Sequence, residues 1–164
     1  MSTGATTGGA LPSLLLVGCG KMGGAMLEGW LERGAEKVVV VEPYAEATAR
    51  FAGRVTTCAT VDQIPAGFTP AAMVLAIKPQ QADAALPTLT RFAQGGALVV
   101  SIMAGKTIAG ITAGLGGTAQ VVRAMPNTPA AVRQGFTCAF AGPGVEAGQR
   151  DLADRLLSAI GETA

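Results

Sequence analysis

The chain has 164 residues, 49% of them apolar and only 14% charged, with a formal net charge of +1. That length suits one domain with a sizeable core, and the composition excludes a disordered chain. With 4% aromatics, no basic block, no histidine and three scattered cysteines, it offers no nucleic-acid platform, no Ser-His-Asp or Cys-His nucleophile and no zinc pattern.

Residues 1–12 are rich in Gly, Ala, Ser and Thr. They lack the basic start and long apolar core of a secretory signal, and are expected to form a disordered tail ahead of one folded domain, residues 13–164. No apolar run reaches transmembrane length. The thiols of Cys19, Cys58 and Cys138 read as reduced cysteines of a cytoplasmic protein.

From Leu14 to Gly23 the chain reads L-L-L-V-G-C-G-K-M-G. An apolar run without alternation, as in a parallel strand covered on both faces, ends in glycines spaced G-x-G-x-x-G. Gly18 lets the chain turn sharply out of the strand. Gly20 lets a pyrophosphate approach the backbone, and Gly23 lets the next helix lie close. Met26, Leu27, Trp30 and Leu31 continue from Gly23 at helical spacing, and Gly34 ends that helix just after Arg33. The next apolar run, Val38–Val41, ends in Glu42, 19 residues past the last glycine. That is where a ribose-binding carboxylate is expected, and as such it favours NAD over NADP because a carboxylate repels a 2′-phosphate; the other reading is a solvated loop carboxylate.

Further along, a helical stretch is expected at Ala45–Phe51 and short strands at Arg54–Cys58 and Met73–Ile77. Gln80–Ala93 reads as a helix that Pro87 kinks or divides. Ala97–Met103 reads as a buried strand, and Thr107 as the cap of a short helix through Leu115. Strands follow at Ala119–Arg123 and Gly135–Ala141, then a closing helix at Val145–Ile160 with Leu152, Ala153, Leu156, Leu157 and Ile160 on one face. This alternation predicts an α/β fold, a doubly wound, mainly parallel sheet of Rossmann type, with the strands' carboxyl ends on one edge where ligands bind.

Five loops would converge on that edge: the glycine turn, Glu42-Pro43, Lys78-Pro79-Gln80, Ala104-Gly105-Lys106, and Ala124-Met125-Pro126-Asn127-Thr128-Pro129. Lys78 is either a phosphate or ribose contact or an exposed loop lysine. Asn127 either orients a carboxamide or serves as a turn residue between prolines. Arg123 either binds an anion or braces the sheet edge. No acid or base for catalysis stands out, so the catalytic residues are left unassigned, and no metal site is expected.

In these segments (V-G-C-G-K-M-G, A-I-K-P-Q, V-S-I-M-A-G, V-V-R-A-M-P-N-T-P-A and the G-F-T strand) the chain resembles the pyrroline-5-carboxylate reductases over nearly all of Leu14 to Gly161. M-P-N-T-P is the most specific piece. The resemblance implies NAD(P)H-dependent reduction of the cyclic imine of 1-pyrroline-5-carboxylate to L-proline. It implies that Gly18, Gly20, Lys21, Met22 and Gly23 bind the pyrophosphate, and that Ala76, Lys78, Pro79, Ala104, Gly105 and Asn127 line the nicotinamide end. Members of that family continue into a helical domain that forms a homo-oligomer, binds the substrate carboxylate and carries a G-S-G-P-A segment. None of that is found in these residues, so the resemblance covers the N-terminal dinucleotide-binding domain, expected to be a poor catalyst alone. Many members use NADPH, whereas Glu42 points to NADH; Lys21 and Arg50 are the candidates for holding a 2′-phosphate. Two other readings stand beside this one: another β-hydroxyacid-dehydrogenase-like or deazaflavin-dependent oxidoreductase domain, and a non-catalytic dinucleotide-sensing module.

Overall fold

The computed structural model describes residues 11–126 and 135–163. Of the expected tail, residues 1–10 fall outside that range, while Leu11 is buried against the core.

Four apolar segments form the centre of the sheet: β1 (Leu14–Val17), β2 (Val38–Val41), β4 (Ala72–Leu75) and β5 (Leu98–Ser101). Every residue in them is buried. β-Branched and aliphatic side chains on both faces explain why these runs show no alternation. β3 (Thr56–Cys58) and β6 (Gln120–Pro126) complete a six-strand parallel array, and β7 (Gly135–Ala141) and β8 (Gly161–Thr163) extend it. The order is β3-β2-β1-β4-β5-β6-β7-β8. The direction of strand addition therefore reverses between β1 and β4, which is where open α/β sheets bind their ligands.

Two apolar clusters cover the two faces. One packs Met26, Leu27 and Trp30 of α1 (Lys21–Glu32) with Leu156 and Leu157 of α6 (Ala147–Leu157). Trp30 is fully buried, and its indole Nε1 donates to the Leu156 carbonyl at 2.9 Å. Gly29 lets α1 meet the 3₁₀ turn Ser158–Ile160 that follows α6, since a Cβ there would come within 2.7 Å of the Ala159 Cβ. Arg33 caps α1 and donates to the carbonyls of Arg155 and Ser158 and to the Ser158 hydroxyl.

The other cluster holds Leu86, Leu89, Phe92, Ile111 and Leu115. These come from the divided segment α3 (Ala82–Ala85), a 3₁₀ turn Leu86–Leu89 containing Pro87, and α4 (Thr90–Gln94), and from α5 (Ile108–Gly114) and its end. Pro87 divides the helix as its missing N–H requires. Thr107 caps α5, its hydroxyl accepting from the Gly110 N–H at 3.0 Å. Between β2 and β3 lies only a short helix, α2 (Ala45–Thr48), continued by a 3₁₀ turn, Ala49–Phe51.

Two features differ from the expectation. β7 runs antiparallel to β6, so its carboxyl end lies at the opposite edge. Only positions 127–134 separate the two strands, fewer than the dozen or more residues a parallel crossover needs. The closing helical segment ends in a 3₁₀ turn, Ser158–Ile160, and is followed by β8, which pairs parallel to β7. Among the described residues no helix is long and apolar enough to cross a membrane.

Candidate functional site: the glycine turn and the carboxyl edge

The carboxyl ends of β1, β2, β3 and β4 are stitched by backbone bonds. Gly18 donates to the Val41 carbonyl, Ala76 to Val17, and Glu42 to Cys58, all at 2.8–2.9 Å. Gly18 has φ +95°, a conformation side chains rarely adopt, and a Cβ there would lie 2.8 Å from the Ala76 carbonyl oxygen. A Cβ at Gly23 would collide with the Gly18 carbonyl oxygen and approach the Ala76 side chain. Both glycines are thus dictated by packing. Gly20 differs: a Cβ there would meet nothing within 4 Å. Its openness is what an approaching pyrophosphate needs.

Gly20 is the N-cap of α1, and no side chain caps this twelve-residue helix. Its first N–H groups and the positive end of its dipole are therefore presented to the crevice, a favourable setting for phosphate. Lys21, exposed at the first helical position, adds a cation; Met22 is half-buried against the core.

Glu42 is fixed by two backbone donors. Its Oε1 accepts from Cys19 N–H at 2.8 Å and its Oε2 from Tyr44 N–H at 3.1 Å. One carboxylate thereby ties the glycine turn to the segment after β2, and each oxygen keeps a lone pair for a ribose hydroxyl. The Cys19 thiol is buried in the same turn. Burial, and then the neighbouring Glu42 carboxylate, push its pKa up to about 11, with Arg50 acting in the opposite direction. The shift favours the protonated thiol near neutrality. Arg50 is engaged elsewhere: it pairs with Glu28 at 2.8 Å and lies over the Phe51 ring.

Gly18, Gly20, Glu42, Ala76 and Lys78 all line one cavity of about 810 Å³. Lys21, Met22, Gly23, Pro79, Ala104 and Gly105 do not. Lys78 is exposed, and its backbone N–H donates to Gln81 Oε1 at 3.2 Å. Pro79 opens a single 3₁₀ turn, Pro79–Gln81. Ala104 and Gly105 are exposed after β5, with Gly105 at φ +75°. Lys106 pairs loosely with Asp83 at 3.7 Å. Asn127 lies outside the described residues. Arg123 is half-buried on β6 with its Nε buried and unpartnered, in register with Ser101 and Phe140. Tyr44, Thr60 and Val61 also line the cavity. Sequence reading passed over them, although the chain's single tyrosine two places past Glu42 was a visible signal. No cluster of metal-ligating side chains occurs among the described residues.

The arrangement can hold an elongated anion with a diol, running from a helix N-terminus to a carboxylate. Comparison with known proteins points the same way. The family described as NADP oxidoreductase coenzyme F420-dependent matches residues 13–105. A pyrroline-5-carboxylate reductase of Pseudomonas aeruginosa is 35% identical over 152 residues, covering 92% of this chain and 56% of that protein. The structure of a pyrroline-5-carboxylate reductase from Coxiella burnetii matches with a TM-score of 0.85 at 29% identity, over 93% of this chain and 57% of that one. The Plasmodium falciparum pyrroline carboxylate reductase, solved with NADP bound, shares the fold at a TM-score of 0.79 and 20% identity, over 94% of this chain and 57% of its own. The chain thus spans about half the length of the relatives it matches.

Proposed function

The chain belongs to the NADP oxidoreductase coenzyme F420-dependent family as a pyrroline-5-carboxylate-reductase-like N-terminal NAD(P)-binding domain, and we propose that it supplies the cofactor half of an enzyme reducing 1-pyrroline-5-carboxylate to L-proline. The observation that carries this reading is the joining of an uncapped helix N-terminus, an open Gly20 and a fixed Glu42 along one cavity. The M-P-N-T-P segment supports the choice of substrate class.

In this reading Gly18, Gly20 and Gly23 shape the pyrophosphate site, with Lys21 and Met22 beside it, and Glu42 holds the adenosine ribose. The resemblance assigns Ala76, Lys78, Pro79, Ala104, Gly105 and Asn127 to the nicotinamide end. The reduced nicotinamide supplies the hydride. The protein's own part is to hold the donor and the acceptor carbon close and in line, which suits a site without histidine. We assign NADH as the tighter ligand, because the Glu42 carboxylate, held by Cys19 and Tyr44, would repel a 2′-phosphate and Arg50 pairs with Glu28. We place the protein in the cytoplasm, where its free thiols would stay reduced.

These 164 residues span 56–57% of the length of the relatives they match; we expect them to bind the dinucleotide but to turn over pyrroline carboxylate poorly by themselves, because the resemblance assigns the substrate carboxylate to the remaining length. A chimera tests the reading, with this chain joined to the remaining part of the Pseudomonas aeruginosa reductase. Reduction of 1-pyrroline-5-carboxylate by the chimera is the expected result. Failure of the chimera with that imine, in a preparation that binds NADH, would contradict the substrate assignment. A second reading, a deazaflavin-dependent oxidoreductase, is favoured by the description of the matching family. It predicts hydride exchange between NADPH and a deazaflavin on the unmodified chain.

A further inference from the structure

We propose that Tyr44 is the adenine platform of this site, a role that rests on the dinucleotide reading above. Tyr44 is 66% exposed, more than Met125 or Phe140, the other exposed large apolar residues among those described. It is also the chain's single tyrosine, in a sequence with 4% aromatics. A lone exposed ring needs no special reason. This one, however, forms part of the cavity wall and is tied to the cofactor turn.

Its backbone N–H donates to Glu42 Oε2, and Glu42 Oε1 accepts from Cys19 in the glycine turn. The backbone at Tyr44 is therefore fixed relative to Gly18 and Gly20. A dinucleotide with its pyrophosphate at Gly20 and its ribose at Glu42 must carry its base beyond Glu42, away from β1. In the sheet order the strands beyond β1 on that side are β2 and then β3. The cavity wall there is Tyr44 after β2 and Ala59, Thr60 and Val61 after β3. Val61 packs on the core below, so that wall is anchored as well.

A flat base placed among these residues finds one aromatic face and one branched aliphatic side chain. Such a site recognises the π-face of adenine and its apolar surface, with no demand for a charged contact. Tyr44 and Glu42 then act together, the carboxylate holding both the ribose and the backbone that carries the ring.

The test is calorimetric titration of the full chain and of Tyr44→Ala and Tyr44→Trp with NADH and with ADP-ribose. Tyr44→Ala is expected to weaken both ligands by the same factor, about tenfold, with an unchanged melting temperature. Tyr44→Trp, which keeps an aromatic face, is expected to stay within about threefold of the parent. Equal affinity of parent and Tyr44→Ala for NADH overturns the proposal and leaves the dinucleotide reading intact. A loss seen with NADH but not with ADP-ribose also overturns it, because the ring would then act outside the adenosine. Failure of the parent chain to bind either ligand overturns the dinucleotide reading itself.

Discussion

On the side of the crevice that we propose for adenosine, the glycine turn and Glu42 are tied to their neighbours. Gly18 and Gly23 are packed against Ala76 and each other, and Glu42 accepts from Cys19 and Tyr44. On the side proposed for the nicotinamide, Lys78, Ala104, Gly105 and Met125 stand exposed on turns and a strand end. The first region is a product of strand–helix packing, so it can preorganise within these residues. The second is presented by loops that gain precision only when something covers them.

The sharpest way to break this contrast is Gly18→Val. It forces a β-branched residue to φ +95° and a Cβ against the Ala76 carbonyl. We expect dinucleotide binding to be lost and stability to fall by about 2–4 kcal/mol, measured by denaturant unfolding. Retained NADH binding in Gly18→Val would mean that the turn is not what shapes the site.

Glu42→Gln should act on selectivity, and it also costs the turn one of its two backbone tethers, since an amide has a single acceptor oxygen. Removing the charge is expected to narrow the NADH-over-NADPH preference about tenfold, read from competition titrations. A preference unchanged by the substitution would shift the selectivity to another group.

The buried Cys19 thiol gives a pH test of the packed region. Its folded pKa is raised, from an ordinary 9.0 to about 11. The folded state therefore holds the proton more tightly than the unfolded chain. Stability from this group is complete below pH 9 and is lost as the pH rises from about 9 to 11. Denaturant unfolding across that range should show the decline, and Cys19→Ala should flatten it. A decline of equal size in the variant would assign it to other groups.

Lys78→Ala is expected to have the smallest effect, less than about threefold on NADH affinity, because an exposed lysine on an uncovered loop contributes little to binding. A larger loss would show that the nicotinamide side is already organised within this chain.

Much of the packed region could be read from the sequence. The runs L-L-L-V and V-V-V-V are buried on both faces, and Gly18 and Gly23 each have a separate steric reason. Thr107 and Pro87 act through local chemistry, which is why a short window reveals them. The reversal of β7 was not foreseen, although the short connection 127–134 carried the signal. The bond from Cys19 to Glu42 was hidden because it joins residues 23 apart through the register of β1 with β2. Tyr44 was missed because a single exposed aromatic has no periodicity to mark it. It becomes visible only when the topology sets it beside the segment after β3.

The most direct test of the account is calorimetric titration of the purified 164-residue chain with NADH, followed by NADPH as competitor. The account predicts binding of NADH, displaced only weakly by NADPH. Absence of binding by either dinucleotide would contradict the claim that the cofactor half is preorganised within these residues.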